Sequence, residues 1–547
     1  MSINNLRDML QKSCICYDDK MAFYEIKNGK PKGYTFRQLK DDVEALGTKL
    51  TEMGLKNKHI AIVGENSYSW VVSYLAVVNG VGVAVLLDKE LPYDHLGELI
   101  AKSDSEGIIF SQNFLGGIDE MKSKNEELSI LICMEENEEG YLNLENLKEE
   151  GRKLLQGGYN SYLEAEIDKE ALSILLFTSG TTGANKGVML SHYNILSVVF
   201  VASEFFKKYK TIISVLPLHH IYENVCGLCT PINLGMTVYY NDSLKYLSRN
   251  LTLFKPEMAL MVPLFLETMY KKITIELERR KVTKIFKGAV KVSNILLKIG
   301  IDLRRLLFIK IHKTFGGKLR TIVCGGAPLS GELIERFREI GIEVFNGYGI
   351  TECAPLISVN LSGKNKSASV GEIIKCCDVM IDKVDSDGIG EILVSGDNVM
   401  LGYYKDEKAT EESFYGNWFK TGDLGYMNNE KKLFLTGRKK NLIILNNGKN
   451  VHPEELEGYI LKKMPYVQEV VVHTDKVKTY SEKIIAVAYI DSDFVKRYNI
   501  KDVEKKLEED LREINMTLPR YKQIQDINIR TSEFEKNTSQ KIIRYKI

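Results

Sequence analysis

The sequence predicts an α/β protein of at least two domains, and three observations carry that prediction. At 547 residues the chain exceeds what one hydrophobic core ordinarily supports. Residues 1 to about 170 alternate helical and strand patterns, as parallel sheets with covered faces do. From Ala171 onward, apolar runs end repeatedly in clusters of small and polar residues. Strands that deliver loops to the carboxyl edge of an open sheet have this form.

The elements follow in order. "TFRQLKDDVEALGTKLTEMGL" offers Thr35 as N-cap, Leu39, Val43, Leu46 and Leu50 at helical spacing, and Gly54 as the stop. "HIAIVGENS" reads as a short buried strand. The most apolar run, Trp70 to Leu87, is broken at Asn79-Gly80, so a helix followed by a buried strand explains it better than a membrane span. "ALSILLFT" is a strand that runs straight into a glycine-rich loop. "TIISVLPLHH", "TVYYND", "MALMVP", "LRTIVCGGAPL" and "IEVFNGYGITE" are further strand-to-loop units, and their polar ends point to one shared site.

Residues 271–320 differ, with fifteen Lys or Arg against three Asp or Glu. Their helical apolar spacing leaves two readings open. One is a solvated helical face; the other is a basic helix on an anionic membrane surface. Beyond them, "TGDLGYMNNEKKLFLTGRKK" passes through a hairpin-like stretch to the basic turn Arg438-Lys439-Lys440, where a new unit is expected. "DVEKKLEEDLREINMTLP" is a helix capped by Asp502, with Leu507, Leu511 and Ile514 inward and Pro519 as its stop. "IQDINIR" is a strand.

Composition narrows the function classes. The chain is 44% hydrophobic and 27% charged, with a net charge of +1, so nothing argues for nucleic acid as partner. Nine cysteines without a framework read as reduced structural thiols, the Cys226–Cys229 and Cys376–Cys377 pairs included. The N-terminus has no apolar signal region, so a cytoplasmic protein is expected.

The glycine-rich loop "TSGTTGANKG" can hold phosphate. Thr178, Ser179, Thr181 and Thr182 supply hydroxyls. Gly180, Gly183 and Gly187 let backbone N–H groups converge, and Lys186 adds charge. It is not the Walker pattern, because Lys186 is followed by Gly187. "GYGITE" puts Tyr348, Gly349, Thr351 and Glu352 on one loop, which suits base stacking and a cation. "TGDLG" places Asp423 where a carboxylate can accept bonds from ribose hydroxyls.

Taken in order, "TSGTTGANKG", "LPLHHIYE", "CGGAPL", "NGYGITE", "TGDLG", "GRKKNLI" and "TSQKIIR" resemble the adenylate-forming superfamily. They are most similar to its long-chain fatty acyl-CoA synthetase branch. The resemblance implies a large N-terminal domain of layered α/β subdomains plus a distorted β-barrel (residues 1–437, with a basic helical insert at about 271–318). A small mobile α+β domain (438–547) would follow, with a hinge near Lys440. It implies ATP, Mg²⁺ and coenzyme A as cofactors, a fatty acid as substrate, and acyl-adenylate as intermediate.

Residue by residue, the resemblance implies that Thr178 to Lys186 hold the β- and γ-phosphates and that Thr178 and Glu352 hold Mg²⁺. Gly326, Ala327 and Tyr348 line adenine, with Thr351 near the α-phosphate. Asp423 and Arg438 grip the ribose. Lys541 bridges carboxylate and α-phosphate, Gly448 borders a pantetheine tunnel, and His220 stands at the acyl entrance. The sequence departs from the family at Asn185, where proline is usual, and at Gln540, where glycine is usual. Leu264 stands where long-chain enzymes often carry arginine. His219, His220 and Ile221 occupy the stretch where amino-acid adenylation domains place an aspartate, which favours an apolar acid. An acyl carrier protein as acceptor, docked by the basic segment, is the near alternative. A non-catalytic acyl or nucleotide binder of the same fold is the distant one.

Overall fold

The structure is a computed structural model. It describes residues 2–137, 139–179, 185–361, 369–445, 449–475, 483–536 and 542–544, without the side chains of Ser179 and Asp475. These fall into two compact units. The larger comprises Met1–Val379 and Val394–Phe419, the smaller Met380–Leu393 and Lys420–Ile547.

The larger unit holds two sheets flanked by helices, as the alternating pattern predicts. In the first, the strands Glu343–Gly349, Thr321–Cys324, Met258–Met261, Thr211–Ser214, Thr237–Tyr240 and Met21–Lys27 lie side by side. Consecutive members of this row pair in parallel. Their carboxyl ends therefore share one edge. In the second sheet, Leu172–Ser179 pairs in parallel with Gly82–Leu86, and that strand with Lys58–Val63.

Local chemistry explains the elements. Thr35 and Gln38 form a reciprocal capping box on the helix Phe36–Glu52, whose Leu39, Val43, Leu46 and Leu50 are all buried. Gly54 takes φ +85° just past its end. The apolar run after Trp70 is a helix, Tyr68–Ala76, then a π-helical turn at Val77–Val81 where Gly80 has φ +142°, then the strand Gly82–Leu86. No helix among the described residues is long and apolar enough to cross a membrane. The nine cysteines are all free, and only Cys16 is exposed.

The basic segment is several helices: Pro263–Arg279, Thr283–Lys298, Arg304–Leu307 and Ile309–Thr314. Phe286, Val290, Phe308 and Phe315 anchor them on the core beneath the first sheet.

In the smaller unit, Val467–Asp475 pairs antiparallel with Lys483–Ile490, which pairs in parallel with Asp526–Arg530. The helix Val503–Thr517 covers them. Asp502 accepts from the Lys505 amide as its N-cap, and Leu507, Leu511 and Ile514 point inward.

Candidate active site

The five strand-to-loop units from Thr211 to Glu352 open at one edge of the first sheet. The register Cys324↔Asn346 sets Gly325-Gly326-Ala327 beside Gly347-Tyr348-Gly349. Gly326 needs its φ of +84°, which only glycine adopts freely, and a Cβ there would approach only Val262 Cγ1, at 3.6 Å. Tyr348 itself is buried. His220 lies beyond Thr211–Ser214 on the same edge, its amide donating to the Pro217 carbonyl at 3.0 Å. Tyr222 ties this loop to the neighbouring strand, its hydroxyl donating to the Val323 carbonyl at 3.1 Å.

The turn after Gly349 is tightly built. A Cβ at Gly349 would stand 2.0 Å from the Pro355 carbonyl oxygen, so no side chain fits. A single 3₁₀ turn, Thr351–Cys353, follows, closed by the Ile350 amide donating to Pro355 O at 2.9 Å. Glu352 is fixed at its backbone too, because its carbonyl accepts from the Met400 amide at 2.8 Å.

The phosphate-loop sequence is flanked by an antiparallel hairpin, which the parallel pattern before it gives no reason to expect. Leu172–Ser179 pairs with Asn185–Ser191, bringing Thr178 opposite Lys186. Gly180, Thr181, Thr182 and Gly183 lie outside the described residues, as does the Ser179 side chain. Asn185, the departure from proline, gives its carbonyl to Lys102 Nζ at 2.6 Å.

A third strand organises this site, and the sequence reading missed it. Gly402–Tyr403 pairs with the hairpin's return strand, Tyr403 opposite Val188. The Lys186 ammonium rests 4.5 Å from the centre of the Tyr403 ring. The Tyr403 hydroxyl donates to Glu352 Oε1 at 3.0 Å. Burial, and then the Glu352 carboxylate, push the Tyr403 phenol far above its ordinary range, so it stays a donor. Tyr404 is held by Asp104, its hydroxyl donating at 2.5 Å. One aromatic ring thus joins the lysine of one motif to the carboxylate of another. Its signal in sequence is only "LGYYKDE", with partners 217 and 51 positions away (403 − 186 and 403 − 352).

Deeper in this unit, Glu223 of "LPLHHIYE" is fully buried, and neither carboxyl oxygen has a hydrogen-bond partner among the described residues. Burial raises its pKa to about 8, opposed by the nearby Ser214 hydroxyl and Leu216 backbone. It is held as the neutral acid at pH 7.

In the smaller unit, Asp423 and Arg438 face each other across the antiparallel strands Trp418–Met427 and Lys432–Arg438. Arg438 Nε bonds Asp423 Oδ1 at 2.8 Å. Thr421 steadies the carboxylate's strand by accepting from the Asp423 amide at 3.0 Å. Lys440 sits in the turn Lys439–Asn441, flanked by Lys439 bonded to Glu391 and Asn441 bonded to Glu454, each at 2.6 Å. Burial, then Arg438 and Arg544, lower the Lys440 pKa. Gly448 and Lys541 lie outside the described residues. The positions flanking Lys541 are tied down: Lys536 and Ile542 form a β-bridge, and Arg544 bonds the buried Glu457 at 2.5 Å. The sequence reading missed Glu457 and Lys536 because their partners are distant or of unremarkable composition.

Comparisons with known proteins place the chain in a family. The family model described as AMP-binding enzyme matches residues 10–404, and that for the AMP-binding enzyme C-terminal domain matches residues 440–547. Fatty acyl-CoA synthetase B of Dictyostelium discoideum is 28% identical over 518 residues, covering 87% of this chain and 76% of its own. Long-chain-fatty-acid–CoA ligase 6 of Mus musculus is 27% identical over 530 residues, covering 86% and 74%. Among solved structures, the o-succinylbenzoate CoA synthetase of Bacillus subtilis, in complex with its acyl-adenylate intermediate, superimposes with a TM-score of 0.74. The two are 23% identical, over 98% of this chain and 97% of that one. A Mycobacterium tuberculosis fatty acyl CoA synthetase gives a TM-score of 0.67 at 20% identity, over 99% and 97%. With the family model spanning most of its length, this chain belongs to the AMP-binding enzyme family.

Proposed function

We propose that the protein activates a fatty acid, long-chain by preference, with ATP and passes the acyl group to coenzyme A. A carboxylate is a poor electrophile, since its charge is delocalised and its leaving group would be oxide. Its oxygen attacks the α-phosphorus of ATP, the bond from that phosphorus to pyrophosphate breaks, and acyl-adenylate results. The thiol sulfur of coenzyme A then attacks the acyl carbon. The bond to AMP breaks, the thiol proton passes to solvent, and the thioester leaves.

The observation that carries this reading is the Lys186–Tyr403–Glu352 row beside the Gly326 and Tyr348 edge. It sets a cation and a carboxylate at one site. Lys186 and the hairpin loop would bind the β- and γ-phosphates, with Thr351 near the α-phosphate. Thr178 and Glu352 would offer hard oxygen donors of the kind that suit Mg²⁺, which when bound would supply charge neutralisation to the phosphates. Asp423 and Arg438 would grip the ribose, and His220 would border the acyl entrance. Lys541 would bridge carboxylate and α-phosphate, a task for a flexible point charge. Residues 438–547 would turn about Lys440 between the two half-reactions, bringing Gly448 into play for the thiol. The basic segment 271–320 would meet the membrane surface, where long-chain acids reside.

The test is AMP formation across acids from acetate to oleate, with coenzyme A and with acyl carrier protein as acceptors. Long-chain acids with coenzyme A should be the best pairing. A preference for carrier protein would move the assignment to an acyl-carrier-protein ligase. No AMP with any acid would leave a binding protein.

A further inference from the structure

The helix Thr283–Lys298 carries two apolar faces, and the protein core occupies only one. Phe286, Val290 and Ser293, at intervals of four and three residues, face inward, with the Phe286 ring 5.3 Å from that of Phe308. Ile285, Gly288, Val292, Ile295 and Ile299 recur at intervals of three and four on the opposite side. There Ile285 is 71% exposed, Val292 54%, Ile295 63% and Ile299 68%. Four branched aliphatic side chains on one outward stripe are not the single scattered exposures usual on a soluble surface. Leu306, Leu307 and Ile309 extend the exposed apolar surface further along the chain.

Charge is arranged around this stripe. Lys284, Lys287, Lys291 and Lys298 all project along one flank of it, and all are exposed. Helix Thr283–Lys298 contains no acidic residue. None of the four lysines makes an ion pair among the described residues. Two of the three acidic groups of the segment are engaged elsewhere: Asp302 pairs with Arg304, and Glu276 with Arg279 and Arg280.

We infer that this outward face is a docking surface for an anionic lipid bilayer, with the helix lying in the plane of the interface. The inference rests on the membrane reading of the basic segment and adds which face makes contact and how. Ile285, Val292, Ile295 and Ile299 enter the acyl boundary, while the lysine stems lie along it and their ammonium groups reach the phosphates. Walking around the helix gives an apolar stripe and then a cationic row, the order in which a bilayer presents acyl chains and phosphates. An acidic protein would satisfy the lysines but leave the aliphatic stripe without a matching surface.

Gly288 supplies a gain-of-function test. It sits within the stripe, and a Cβ there meets nothing within 4 Å. The experiment is flotation of the full chain with phosphatidylcholine vesicles, with and without phosphatidylglycerol, over a salt series. The wild type should float with the anionic vesicles and detach as salt rises. Gly288→Leu should strengthen binding about threefold or more, and Ile285→Asp combined with Ile295→Asp should weaken it about tenfold or more. The double variant should keep its unfolding temperature and its activity on a water-soluble acid, because both side chains are exposed. Wild-type flotation that neither variant alters would overturn the assigned face while the membrane reading of the segment stood. No wild-type flotation would remove that reading itself. Retention by an acidic carrier protein without any vesicle binding would show that the partner class is wrong.

Discussion

Tyr403 links two motifs that sequence reading treats separately. Its ring carries the Lys186 ammonium, and its hydroxyl carries Glu352 Oε1. Tyr403→Phe keeps the ring and removes the hydrogen bond, leaving the Glu352 carboxylate less well held. The expected result is a loss of about tenfold in kcat/KM for ATP, with a higher Mg²⁺ requirement and no change in the thioester step from supplied acyl-adenylate. Unchanged Mg²⁺ dependence would remove the positioning role. Glu223 makes a different prediction. Its folded pKa, about 8, lies above the unfolded value of 4.5, so folding retains its proton between the two. The stability it permits is complete below pH 4.5 and is lost as pH rises toward 8. Glu223→Gln should therefore flatten the fall in unfolding temperature over that range, and an equally steep fall in the variant would contradict the burial argument. Sequence alone named Lys186 and Glu352 through their motifs. It could not name Tyr403, whose role depends on a strand pairing across more than two hundred residues, nor the neutral state of Glu223, which depends on burial.

At the scale of elements, the parts with local causes were legible. Thr35, Leu39, Val43, Leu46 and Leu50 follow helical periodicity and capping, and the helix Phe36–Glu52 forms with that cap and that inward face. Replacing Thr35 by Ala should cost about 1 kcal/mol, measured by chemical unfolding. A cost near zero would mean that packing alone fixes this helix. The strand-to-loop units of the first sheet were legible for the same reason, since each is an apolar run with a polar end. The antiparallel pairing of Leu172–Ser179 with Asn185–Ser191 was not, because an apolar run does not say whether its partner runs parallel or antiparallel. The basic segment was legible as helical, but not as a helix with two apolar faces. Periodicity finds one amphipathic stripe, and only packing tells which side the core takes.

For the whole molecule, the order of the seven motifs carried the family, and the composition carried only that the chain is globular. Lys186 and Glu352 belong to the larger unit, and Asp423 and Arg438 belong to the smaller. Lys541→Ala should reduce acyl-adenylate formation by about a hundredfold or more, with ATP binding largely kept and the thioester step affected less. The most direct test of the central claim is to incubate the protein with ATP, Mg²⁺ and a long-chain fatty acid, without coenzyme A, and look for acyl-adenylate and pyrophosphate. The account predicts both in equal amounts, with AMP and acyl-CoA appearing once coenzyme A is added. ATP left intact, or cleaved to ADP and phosphate, would contradict it.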